Sequence, residues 1–521
     1  MISTELQRII QAKADIVTSI ENKGVTVPAG TKIDDLDDYV DQIQQGGPTR
    51  EPDYFYTENE SDNPNSIVNI QFLIAYQKSG IQTQYKTFRY DMEYSLDKVT
   101  WGKWYGGLTS LTLDLTKGQK VYLRGYGPVC YRVQSSSSGL DYEYAWLCIN
   151  VGKQSDNVNY VPASIGGDIS TLLDPNGTDY MSGDSCFYRL FDGTSVNSIS
   201  TYYSNIGKIK SDFKLPNNLT FNCFYRMFYQ TPITEIEGNI FSNCTFMSAS
   251  ASHACDGMFQ NCTSLTSVSN DFSLPATSLA PYCYQYMFNG CTSLTSIPTN
   301  LLPATNLNAT RDARYCYYYM FKGCTSLTNV PNLPATELAQ FCYAAMFRDC
   351  TSLTSIPTNL LPATTLLSCQ YCYQSMFYGC TSLTNVPNLP ATTLANYCYY
   401  TMFYGCASLT SIPTNLLPAT TLNMSCYYGM FQNCTGITTA PYLPALTLQS
   451  SVYTGMFNGC TSLNYIKAMF TTDISSSTSY TSNWLNNVAA TGTFVKNANA
   501  TWSRTDASGV PSGWTVETAA A

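Results

Sequence analysis

The chain has 521 residues, too many for one hydrophobic core, with 12% charged residues and a formal net charge of −9. Its surface must be built mainly from hydroxyl and amide side chains, and the acidic balance argues against nucleic acid or an anionic membrane as partner, since both need clustered Lys and Arg. No run of 18 apolar residues occurs, so membrane insertion through a helix is not expected.

Residues 1–47 read as helical. Thr4 with Gln7 forms a capping box and Gly24 a stop signal, and Leu6, Ile9, Ile10, Ala14, Val17 and Ile20 make an apolar stripe at helical spacing. A second, shorter stripe follows at Leu36, Val40 and Ile43, ending at Gly46-Gly47. Helices this short are marginal alone and need a partner. The segment is therefore expected to anchor or oligomerise the chain through Leu6, Ile9, Ile10, Val17 and Ile20; a hairpin packed on the next domain is the plainer alternative. Glu5, Arg8, Lys13 and Asp15 fall where a secretion signal requires an apolar core, so no signal peptide is expected.

Residues 48–160 read as strands. "LTLDLT" and "KVYLRG" alternate apolar and polar positions around a Lys117-Gly118 turn, and "MEYSLDKVTWGKW" does the same upstream. A small antiparallel β-sandwich is the simplest arrangement, with Trp101 and Trp104 in its core.

From 161 to 470 the chain repeats. Met-Phe pairs begin at Met227, Met258, Met287, Met320, Met346, Met376, Met402, Met430 and Met456, a period that indicates a solenoid. A longer "IPTNLLPAT" form alternates with a shorter "VPNLPAT", so the unit of duplication is a pair. In each copy a β-branched stretch such as "SLTSIP" is closed by Pro, which cannot donate to a ladder. The return segment, for example "LPATTLANYCYYTMFYGC", carries Leu394, Cys398, Met402 and Phe403 at helix-like spacing. Residues 471–521 are expected to cap the array.

Sixteen of the 21 cysteines fall in two rows, four residues before and four residues after the Met position. Ala254 and Val452 stand in for Cys in the earlier row, a replacement that would strand a disulfide partner or a metal site but suits a small buried hydrophobe. Core packing is the expected role, with "CQYC" (Cys369 to Cys372) too isolated to indicate a metal.

The motif "MFKGCTSLTNVPNLP" resembles the hallmark "AFxxCTSLxxIxIP" of BspA-type leucine-rich repeats over about residues 185–470. The tail 483–516 resembles the segment that closes such arrays in proteins of gut Bacteroidales and their phages. The opening "LQRIIQAKADIVTSIENKGVTVPAGTKIDDLDDYVDQIQQ" resembles the amino termini of phage tail and fibre proteins. Together these imply a multidomain chain: a short α-helical amino terminus (1–47), a small antiparallel β-sandwich (48–160), a leucine-rich-repeat solenoid of mixed β and turn structure (161–470) and a carboxy-terminal cap (471–521).

Catalysis is not expected, and neither is a cofactor or a metal. His253 is the single histidine and has no acidic partner at triad or metal-ligand spacing; Asp34 to Asp38 lack the Gly and distal Glu of a calcium loop. No phosphate-binding loop or serine elbow occurs. The surface is then the candidate site. One outward row is Thr295, Thr328, Thr354, Thr384 and Thr410, and the next includes Asn329, Ser355, Asn385 and Ser411. Such rows suit a host-surface glycan or protein, or else stabilise the stack themselves. The expectation is a virion appendage, a tail or head fibre for host attachment, docked on other virion proteins through residues 1–47 and homo-oligomeric, as a trimer. A decoration protein without receptor and a bacterial surface adhesin are the alternatives.

Overall fold

The computed structural model describes residues 54–60, 91–105, 111–125, 163–172 and, apart from 217, 243, 245, 248–250 and 308–312, residues 206–519. It also describes the strand backbones within 67–77, 84–85 and 142–151, and the single positions Lys13, Val17, Phe187, Leu190 and Phe191. The chain divides into two compact units, Met1–Asp53 and Tyr54–Ala521. Lys13 and Val17 are helical and half-buried. They do not establish an element, and the expected amino-terminal helices, with Leu6, Ile9, Ile10 and Ile20, lie outside the described residues.

The second unit begins with β1 (Tyr56–Asn59), β2 (Ile67–Gln77), β3 (Gln84–Tyr85), β4 (Asp91–Ser95), β5 (Gly102–Tyr105), β6 (Leu111–Asp114), β7 (Lys120–Gly125) and β8 (Tyr142–Val151). Strands β3, β2 and β6 with β8 form one antiparallel sheet, in which β8 lies along the whole of β2. The other sheet does not stop at residue 160. It continues into β9 (Ala163–Gly166), β10 (Ile206–Ile209), then, past β11 (Asn218–Leu219), into β12 (Glu235–Ile236) and, past β13 (Phe246–Met247), β14 (Ser267–Val268), in the order β14-β12-β10-β9-β1-β7-β4-β5. Pairing is antiparallel from β5 to β9 and parallel from β9 onward. The early β-region therefore covers the first edge of the solenoid rather than standing apart from it. Phe55, fully buried, packs against Phe191 and Phe213 across that junction. Trp101, expected in a core, is half-buried with its ring under the Arg124 guanidinium.

Beyond β14 no named strand occurs until β15 (Tyr465–Ala468). The prolines contribute: Pro298, Pro331, Pro357, Pro387 and Pro413 each remove an amide from the ladder, leaving isolated contacts such as Thr328 N–H to Thr295 O and Asn332 N–H to Thr299 O. The array closes with β15, β16 (Gly492–Lys496) and β17 (Trp514–Thr518) in a parallel sheet. Trp484, Trp502 and Trp514 fill this end, their indole N–H groups donating to the carbonyls of Gly509, Phe470 and Ala489.

The return segments are not helices. Their spacing of four is the period of consecutive turns. In the coil of Met287, the amides of Gln285, Met287, Asn289 and Cys291 donate to the carbonyl three residues back. The alternate amides of Tyr284, Tyr286, Phe288 and Gly290 cross to the next coil. Every fourth residue takes positive φ, as at Tyr282 (59°), Tyr286 (55°) and Gly290 (75°), and at Tyr315 (57°), Tyr319 (56°) and Gly323 (73°). Two neighbouring side chains in each four then point inward and two outward. Cys316-Tyr317 and Met320-Phe321 are buried, whereas Tyr318-Tyr319 and Lys322-Gly323 are half-exposed. A non-glycine residue at positive φ costs roughly 1 kcal/mol; the amides crossing between coils offset it.

Candidate functional site: the two faces of the solenoid

The coils stack in rows of identical chemistry. Phe228, Phe259, Phe288, Phe321 and Phe347 lie nearly parallel inside, ring centroids 5.2–5.6 Å apart. A second buried row holds Tyr284, Tyr317, Tyr343 and Tyr373, whose hydroxyls find no protein partner. Burial pushes all four phenols well above their ordinary range.

The described cysteines of the solenoid are buried thiols outside any disulfide. The two rows nevertheless do different things. In the later row each thiol donates to the carbonyl of the Met-Phe phenylalanine one coil back: Cys291 to Phe259 (3.2 Å), Cys324 to Phe288 (3.1 Å), Cys350 to Phe321 (3.2 Å), Cys380 to Phe347 (3.1 Å) and Cys406 to Phe377 (3.2 Å). In the first complete coil this position is Thr231, whose hydroxyl donates within its own coil to Phe228 O, the carbonyl that Cys262 reaches from the next coil. A donor is kept where the residue changes, while the earlier row tolerates Ala254 and Val452. Burial pushes Cys324, Cys380 and Cys460 up to about 12, which keeps the S–H proton in place. At "CQYC", Cys369 Sγ lies 3.1 Å from Cys372 Sγ as a thiol contact. Among the described residues no group of three potential metal ligands occurs.

On the strand face, the Thr positions are exposed and Asn329 and Asn385 half-buried, and their donors are largely committed. Thr295 donates through both amide and hydroxyl to the Thr266 carbonyl, Thr328 to Thr295, and Thr384 to Thr354. The Asn329 amide grips both backbone groups of Ile297, accepting from its N–H (3.0 Å) and donating to its C=O (2.7 Å); Asn385 does the same to Ile356. Each such Asn belongs to a short coil and holds the long coil before it, which is the physical reason for the paired repeat. Ser355 and Ser411, in the long coils, and Thr410 are exposed.

The turn face is different in kind. His253, Tyr282, Tyr315, Phe341, Tyr371 and Tyr397 form an external stack with centroids 4.4–4.9 Å apart. Beside it run Tyr286 on Tyr319, Tyr378 on Tyr404, and Tyr400 on Tyr428. Because the rings cover one another's faces, sugars cannot stack on them within the row. What reaches solvent is a series of ring edges and hydroxyls at a regular pitch. Cations lie over several rings: Arg226 over Tyr225 and Tyr229, Lys322 over Tyr319, Arg348 over Tyr378. The sequence signal for this face was the Tyr that recurs at left-handed positions of successive coils, as at Tyr282, Tyr315, Tyr371 and Tyr397, legible only once the period is four.

The expectation that His253 lacks an acidic partner does not hold. Its Nδ1 lies 2.7 Å from Asp256 Oδ2, three residues along, because a four-residue turn brings those positions together. Burial raises the Asp256 carboxyl, an effect that His253 and Arg226 oppose. The imidazole also stacks on Tyr282, so its role visible here is structural: it starts the aromatic row.

Residues 183–302, 285–438 and 361–486, together more than half of the chain, match the family described as BspA type leucine rich repeat region, in six copies. The chain belongs to the BspA-type leucine-rich repeat family. The BspA-type match begins at residue 183, so it includes the coils joined to the early sheet through β10 and β12. BspA-type repeats fit a surface adhesin-type role. No curated protein and no solved structure matches the chain.

Proposed function

We propose that the chain is a phage virion appendage, a tail or head fibre, that attaches the particle to its host and acts by binding rather than catalysis. Residues 1–47 dock on other virion proteins and assemble the chain as a homo-oligomer, a trimer, which places the solenoids outward for multivalent contact with a host glycan or protein. The observation that carries the reading is the turn face: a continuous field of half-exposed tyrosines held rigidly by amides crossing between coils. Tyrosine supplies contact area and hydrogen bonds at low entropic cost, which is the composition of evolved binding surfaces. The phage setting rests on the resemblance of residues 1–47 to tail and fibre amino termini.

A structural decoration protein without receptor is the second reading, favoured by the commitment of the Thr and Asn donors to neighbouring coils. A bacterial surface adhesin is the third. Fluorescently labelled full chain, applied to a strain panel with and without capsule, separates the first two: strain-dependent staining supports attachment, and uniform absence supports decoration. Immunogold labelling of purified particles separates the first and third.

A further inference from the structure

The turn face carries two cations, Arg226 and Lys322, that lie outside any ion pair among the described residues, although the chain carries a net charge of −9. Both are held over tyrosine rings, Arg226 with its Nε buried and without a protein partner. The anions near this face are already engaged. Asp256 is buried against His253 and within electrostatic reach of Arg226, and Asp349 sits 3.4 Å from Arg348. Met287 and Met320 mark successive coils after that of Met258, so Arg226 and Lys322 stand three coils apart, about 15 Å at the spacing of parallel strands.

We propose that the turn face binds a carboxylate-bearing polysaccharide laid along the solenoid axis, with Arg226 and Lys322 receiving carboxylates and the phenol row receiving hydroxyls. The proposal rests on the attachment reading above and names its ligand class. Three properties select this ligand. A guanidinium already immobilised on aromatic rings loses little freedom on meeting a carboxylate, and its fork is a bidentate match for one. Along a stack of 4.4–4.9 Å pitch the phenols of Tyr282, Tyr315, Tyr371 and Tyr397 recur, interrupted by Phe341, and suit a polymer whose hydroxyls recur, where a folded partner has no such period. A protein partner would also want a contiguous apolar centre to bury; the described exposed large hydrophobic side chains of these turn segments are Leu367 and Met424, in separate coils.

The test uses the full chain with immobilised polygalacturonate, the same polymer after carboxyl reduction, and poly-glutamate. Arg226→Gln with Lys322→Gln removes both cations, and the fold accepts the change: Gln230 already occupies a left-handed position, and Gln260 and Gln432 fill the Lys322 row in other coils. Lys98→Gln with Lys103→Gln removes the same charge from the β4–β5 hairpin. The expected result is salt-sensitive binding of polygalacturonate, at least tenfold weaker for the reduced polymer and for the Arg226/Lys322 variant, and unchanged for the hairpin variant. Equal binding of the reduced polymer, equal loss in both variants, tighter capture of poly-glutamate, or no binding of polygalacturonate would each overturn the proposal. Strain-dependent staining of cells that persists beside any of those results would leave the attachment reading standing.

Discussion

Replacing Cys380 tests whether its thiol is a donor or only a filler. Its Sγ donates across 3.1 Å to the Phe347 carbonyl, which also accepts from the Cys350 amide in its own coil. Cys380→Ala leaves that carbonyl with one partner and removes a fully buried sulfur. The lost bond contributes about 1 kcal/mol, and the emptied volume adds roughly 1–2 kcal/mol on the scale of core truncations. Cys380→Val fills the space, slightly in excess of the sulfur, without the donor. Cys380→Ser keeps a donor in a smaller side chain. The ordering of urea midpoints in the full chain should therefore be wild type, then Ser, then Val and Ala. Because repeat arrays depart from two-state behaviour, amide exchange at Cys350 and Phe347 should be followed as the local readout. A Val variant as stable as wild type, with Ser the least stable, would refute the donor role and return this row to simple packing.

The same thiols predict an alkaline limit. The protonated form is favoured in the fold, so their contribution is intact below the ordinary thiol pKa near 9 and lost as pH rises toward 12, at up to ~4 kcal/mol per thiol for three units. Near-ultraviolet circular dichroism should be flat to about pH 9 and collapse before 12; an intact signal at pH 12 would contradict the burial argument. Gly379 has φ of +73°, and a Cβ there meets Asp349 Oδ1. Gly379→Ala should cost about 1–3 kcal/mol, with part of the loss recovered by Asp349→Gly in a double-mutant cycle; additive losses would show no contact. Asn385→Ala breaks both bonds to Ile356 and should destabilise by about 2 kcal/mol, with strain staining unchanged per folded molecule. Loss of staining at full stability would instead make the strand face the receptor surface.

The repeat, its family and the burial of the cysteines were legible because a repeated array shows each position many times. Ala254 and Val452 revealed the tolerance of one cysteine row, yet reading the other by the same rule missed its hydrogen bond, although Thr231 was in plain view. The return segments misled through arithmetic. Over eight residues, spacings of 3.6 and 4 cannot be told apart by apolar positions alone, and the deciding clue was non-glycine residues at left-handed positions, which sequence does not display. His253 and Asp256 were missed for the same reason. The continuity of the early sheet with the solenoid could not be read because β9 sits between segments with no shared motif.

The grip of Asn329 on Ile297, and of Asn385 on Ile356, carries an evolutionary consequence. A coil of the short type is fitted to the long coil before it, so removing a single short coil leaves that long coil's backbone without the Asn that holds it, while removing two preserves every junction. Gene-level gain and loss should then proceed in double steps. The length of the array behaves as a ruler with coarse divisions, lengthened or shortened about 10 Å at a time, its surface chemistry carried along intact.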